Sequence, residues 1–182
     1  MGGHVCPWWG GYFIDNRLRR LLHKPERILS SYLRPAVTVL DFGCGMGFFS
    51  LPMAEMVGRA GLVIAADLQQ EMLDVLQKRA KRAGVAEQIR PHRCRRDELG
   101  VDDTVDFALA FWSMHEAPDI PKLLGEIYGC LAHGGTLLVA EPRGHVSAKA
   151  FQDTIDTAKE TGFRVGEHPP VRLSLTVTLR KD

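Results

Sequence analysis

The chain has 182 residues, within the roughly 100–200 residues of a single domain. Apolar residues make up 45% and charged residues 25%, a balance that excludes general disorder, collagen-like repeats and low-complexity architectures. Lys and Arg number 23 against 22 Asp and Glu, a net charge of +1, so nucleic acid is not the expected partner.

No run approaches the ~18 apolar residues of a membrane span. The opening MGGHVCPWW lacks the basic region of a secretory signal. Cys6 stands where a myristoylation pattern wants Ser or Thr. Cys6, Cys44, Cys94 and Cys130 lie far apart with no CxxC pair. That argues against a zinc knuckle and against a disulfide framework. No metal is expected, and a reducing cytoplasm is the expected setting.

Residues 1–36 read as a helical extension. They begin with a cluster of Trp8, Trp9, Tyr12 and Phe13 and hold six Lys/Arg against two acids. Apolar residues then recur at helical spacing, first at Ile14, Leu18, Leu21 and Leu22, then at Ile28, Leu29, Tyr32 and Leu33. From residue 37 to 182 strands and helices alternate. VTVLDF (37–42) is a buried strand, and the helix after it runs from Phe48 to Val57 with Pro52 in its first turn. LVIAAD (62–67) is a second strand. Gln69 to Ala83 is an amphipathic helix capped by Gly84. Ile89 to Cys94 is a weaker strand and VDFALAFW (105–112) a strong one. The helix carrying Ile120, Leu124, Ile127 and Leu131 is expected to stop at Gly134-Gly135, with TLLVAE (136–141) as the fifth strand. Ala148 to Thr161 is a helix closed by Gly162.

Two segments, 163–167 and 172–180, then flank His-Pro-Pro. The last alternates strictly between Leu/Val and Ser/Thr, as a half-buried antiparallel strand does. The order predicts an α/β fold, a doubly wound and mostly parallel sheet with an antiparallel last strand.

The strongest chemical signal is VLDFGCGMGFF (39–49), a strand, three alternate glycines and a helix. Glycine lets the backbone approach a ligand, and a helix start points free N–H groups into the same crevice. A dinucleotide site would read G-x-G-x-x-G. Here the spacing is G-x-G-x-G behind Asp41, an acid that repels pyrophosphate and attracts an ammonium group. Asp67 follows Gly47 by 20 residues at the end of the second strand. It is placed either to accept hydrogen bonds from a ribose or to cap the following helix.

Taken with VIAADL, DFALAFWSMHEAPD and LLGEIYGCLAHGGTLLVAEP, this motif resembles the class I S-adenosylmethionine-dependent methyltransferases. It is most similar to the small-molecule branch that includes the ubiquinone/menaquinone C-methyltransferases. The resemblance covers residues 28–182 and implies a seven-stranded sheet and S-adenosyl-L-methionine as cofactor. It implies that Gly43, Cys44, Gly45 and Gly47 cradle the methionine moiety beside Asp41, with Asp67 on the ribose. Leu68 packs on the adenine in this reading. The family's acid after the third strand has no clear counterpart: counting places that site at Cys94 or Arg95, where a backbone N–H can serve the base. Phe111 and Trp112 complete the expected cofactor set.

Methyl transfer from a sulfonium needs alignment of nucleophile, methyl and sulfur, and a base only if the acceptor carries a proton. His115 is the candidate base, against a loop-closing role. Glu141 is a candidate catalytic acid, against a structural one. Trp8, Trp9 and Tyr12 are candidates for a lid or substrate wall. The basic run Lys78–Arg96 reads as a solvated helix end. The pocket is shallow, capped by residues 1–36 or completed by a homodimer. The sequence predicts methyl transfer to a small-molecule acceptor. The alternatives are a non-catalytic S-adenosylmethionine-binding module and an NAD-dependent oxidoreductase, which Asp41 and the glycine spacing disfavour.

Overall fold

The computed structural model describes residues 22–182. Seven strands form one sheet: β1 (Thr38–Phe42), β2 (Leu62–Asp67), β3 (Ile89–Arg93), β4 (Val105–Phe111), β5 (Leu131–Pro142), β6 (Arg164–Val165) and β7 (Ser174–Arg180). Its order is β3-β2-β1-β4-β5-β7-β6. The five strands from β3 to β5 pair in parallel, and β7 runs antiparallel to both β5 and β6. The helices are α1 (Pro25–Leu29), α2 (Ser50–Val57), α3 (Gln70–Ala83), α4 (Ile120–Cys130) and α5 (Ala148–Thr161). Gly84 and Gly162 close α3 and α5 in the left-handed conformation.

Strand parity builds two cores. Val39, Val63, Phe107 and Leu109 point to one face, where Leu29, Met53, Leu73 and Leu76 cover them. Leu40, Ile64, Ala108 and Leu137 point to the other, under Leu124, Ile127, Phe151 and Ile155. The described part of the N-terminal extension belongs to the first core. Leu29 is fully buried there and the Tyr32 ring stacks on Phe107 at 5.3 Å.

Two sequence expectations are corrected. Helix α4 does not continue to Gly134-Gly135; it ends at Cys130, and Leu131 already belongs to β5. Leu131 pairs with Val105, and the register then shifts so that Thr136 faces Phe107. The extra residues, both glycines among them, are absorbed in that irregularity. Strand β7 is not half-buried. Ser174, Thr176 and Thr178 are buried too, because the preceding segment lies over their face and bonds to them. Thr176 Oγ1 donates to the Pro169 carbonyl at 2.5 Å, and Glu167 N donates to Thr178 Oγ1 at 2.8 Å. Leu173, expected on the apolar face, is 53% exposed.

The chain winds outward from β1 to β3 and then returns to β4 beside β1. The reversal leaves a crevice at the carboxyl ends of β1 and β4, where open α/β sheets bind ligands.

Candidate active site

The crevice is a cavity of about 510 Å³. Its floor is the loop after β1, tied down from several directions. Gly43 N and Cys44 N both donate to the Ala66 carbonyl, at 2.9 and 3.0 Å. Gly45 N donates to Asp67 Oδ2 at 2.9 Å. Arg79 reaches back from α3 to the Met46 carbonyl at 3.2 Å. Part of the basic run therefore holds this loop, a role that its charge pattern does not reveal.

The glycines are not equivalent. A Cβ on Gly43 would meet the Ser113 Cβ at 2.3 Å, so this glycine permits β1 and β4 to converge. Gly45 has φ +53°, and beyond its chain neighbours nothing among the described residues lies within 4 Å of where a Cβ would stand. It lines the cavity and opens onto it. Gly47 does not line the cavity; it makes room for Leu76 of α3.

Asp41 shares the parity of Val39 and is buried, with Ser50 Oγ donating to its Oδ2 at 2.5 Å. It lines the cavity, as does Asp67. Gln69, not Asp67, is the N-cap of α3, and Asp67 instead braces the loop. Its Oδ1 accepts from Gln69 N and its Oδ2 from Gly45 N, both at 2.9 Å. Burial raises its pKa, opposed by the N–H groups of Gln69, Gly45 and Leu68. Two carboxylates in one partly apolar cavity favour a cationic ligand.

Leu68, Cys94 and Arg95 line the same cavity. The backbone donors expected to serve a base are engaged elsewhere: Cys94 N binds the Asp67 carbonyl and Arg95 N the Glu98 carbonyl, each at 3.0 Å. Glu126 of α4 fixes this turn by accepting from Leu99 N at 2.6 Å. Burial pushes the Cys94 thiol up to about 12 and the Cys44 thiol well above its ordinary value, further raised by the nearby carboxylates. Both are protonated near neutral pH and serve as apolar lining rather than nucleophiles.

The opposite wall is aromatic. Phe111 packs on Phe49 at 4.4 Å. Trp112 has φ 60°, rare for a bulky side chain. Trp112 N donates to the Ala140 carbonyl at 2.7 Å, and its indole N–H to Ser174 Oγ at 2.9 Å. Behind it, buried His23 meets both rings edge-on and bonds to the Arg172 carbonyl at 2.8 Å. Phe48, Phe49, Gln69 and Met72 also line the cavity. They were legible only as helix and turn residues.

His115 sits on a 3₁₀ turn, Met114–Glu116, and lines the cavity. Its Nδ1 is hydrogen-bonded to Glu141 Oε2. Burial disfavours the imidazolium, but the hydrogen bond and charge of Glu141, with Glu116, outweigh it and raise the His115 pKa above 6.5. Glu141 is 2% exposed and does not line the cavity. It stands behind His115, with Met114 N donating to its other oxygen at 3.0 Å. Trp8, Trp9 and Tyr12 lie outside the described residues.

Residues 39–135 match the family model described as a methyltransferase domain. The chain is similar to a demethylmenaquinone methyltransferase of Symbiobacterium thermophilum, 31% identical over 64% of this chain and 47% of that protein. It is also similar to a ubiquinone/menaquinone biosynthesis C-methyltransferase of Vibrio vulnificus, 31% identical over 78% of this chain and 49% of that one. The chain thus spans about half the length of these curated relatives. Among solved structures, a SAM-dependent methyltransferase from Aquifex aeolicus superposes with a TM-score of 0.88 at 23% identity, covering 98% of this chain and 100% of that one. At this identity the likeness is one of fold.

Proposed function

Since the chain belongs to the S-adenosylmethionine-dependent methyltransferases, we propose that it uses this cavity to methylate a small-molecule acceptor. The observation that carries the reading is the Gly43–Gly45 loop, open at Gly45 and flanked by Asp41 and Asp67 in a single cavity. The residues fit the cofactor: an open glycine gives close approach, and the carboxylates suit an ammonium group and a ribose. When bound, S-adenosylmethionine supplies a methyl group on a positively charged sulfur, which leaves as a neutral thioether. Asp41 draws the ammonium group to the end of β1. Asp67 offers lone pairs to the ribose hydroxyls while holding the loop. Phe48, Phe111 and Trp112 exclude water beside the reacting atoms. His115, with Nδ1 bound to Glu141, has Nε2 left to receive a proton from the acceptor.

Residues 1–36 cap the domain of residues 37–182 in this reading. The support is the position of His23, which brings the chain onto the Phe111–Trp112 wall. A second copy of the chain closing the cavity is the competing arrangement, read as a dimer by sedimentation. A reducing cytoplasm suits the free thiols buried among the described residues, Cys44, Cys94 and Cys130. No helix among the described residues is long and apolar enough to cross a membrane.

The test supplies S-adenosylmethionine with a cell extract split by size. Release of S-adenosylhomocysteine with the low-mass fraction, accompanied by a methyl-sized mass gain in one of its compounds, is the expected result. Release only with the macromolecular fraction, or with neither, overturns the reading.

A further inference from the structure

We infer that Glu141 is a positioning residue, which fixes the proton of neutral His115 on Nδ1 and so keeps Nε2 available as the base. The inference rests on the role proposed above for His115. The geometry is that of a buried orienting carboxylate. Strands β4 and β5 are parallel neighbours with Phe111 opposite Ala140, which brings the turn after β4 beside the end of β5. Each Glu141 oxygen has its own partner, Met114 N on one and His115 Nδ1 on the other. A carboxylate accepts and cannot donate, so the shared proton belongs to the imidazole. Among the described residues, Glu116 on the same turn and His145 from the loop after β5, its ring 4.9 Å from that of His115, are the other titratable groups facing it.

In the reaction, the acceptor atom bonds to the methyl carbon as its proton passes to His115 Nε2. The electrons of the broken carbon–sulfur bond stay on sulfur, and the imidazolium returns the proton to water. Glu141 stabilises the imidazolium and loses nothing itself.

Glu141→Gln separates this role from loop closure. The amide has one acceptor oxygen. Met114 is almost completely buried, so its N–H claims that oxygen and leaves the NH₂ group facing Nδ1. The amide then donates to Nδ1 and moves the ring proton to Nε2. Nitrogen-15 spectra should show neutral His115 protonated on Nδ1 in the wild type and on Nε2 in the variant. The variant should titrate at a lower pH. S-adenosylhomocysteine affinity should be unchanged, and release with the low-mass fraction should fall about 10²–10⁴-fold. A wild type protonated on Nε2, or a variant that turns over as fast as the wild type, overturns the inference. A wild type with no turnover overturns the function proposed above, and the catalytic role of Glu141 with it.

Discussion

Gly43 and Gly45 stand two residues apart in one loop, yet they are glycines for different reasons. Both adopt positive φ, which an Ala tolerates at roughly 1–2 kcal/mol. Only Gly43 faces a neighbour, with the Ser113 Cβ 2.3 Å from where a side chain would begin. Gly43→Ala should therefore add an overpacking loss of about 1–3 kcal/mol, while Gly45→Ala shows the backbone loss alone. Urea unfolding of the two variants checks the order, and equal losses would refute it. The motif itself was plain in the sequence, because three alternate glycines between a strand and a helix have few other uses. The Asp67–Gly45 bond was not, since no spacing rule says that the end of β2 reaches the loop after β1. Glu141 was visible as an acid at a strand end. Its place behind His115 depends on β4 and β5 being neighbours, which adjacency in the chain does not reveal.

Among the elements, local pattern failed where a residue suits two structures. Leu131 continues the helical stripe of Ile120, Leu124 and Ile127, so periodicity extends α4 through it. Pairing with Val105 on β4 takes it into the sheet instead, a case of tertiary contact overriding spacing. On β7, Ser and Thr alternate with apolar residues as they would on a wet face. The 166–173 segment covers that face and satisfies the hydroxyls, so the same pattern lies buried. The long amphipathic helices, α3 and α5, were read nearly to the residue because stripe and glycine cap agree. The proposed cap is also a claim about an element. Leu29 and Tyr32 anchor its described part in the core. Deleting residues 1–13 should leave the cooperative unfolding transition in place and weaken S-adenosylhomocysteine binding or turnover. A truncated chain that binds and turns over as the full chain does would reduce the segment to an appendage.

At the scale of the whole molecule, three layers place one cavity at the point where the strand order reverses, and the residues there select its ligand. Two carboxylates, an open glycine and an aromatic wall favour a cationic nucleoside over a pyrophosphate. The comparison that decides this is a calorimetric titration of the full chain with S-adenosylhomocysteine, its 2′,3′-dideoxy analogue and NAD. Varying the ligand is cleaner than replacing Asp67, which also holds Gly45 and Gln69. S-adenosylhomocysteine should bind at one site per chain. Loss of the ribose hydroxyls should weaken binding by about 1.5–3 kcal/mol, the value of a hydrogen bond to a charged group, and NAD should give no heat of binding. Tight binding of NAD with none of S-adenosylhomocysteine, or equal affinity for S-adenosylhomocysteine and its dideoxy analogue, would contradict the account.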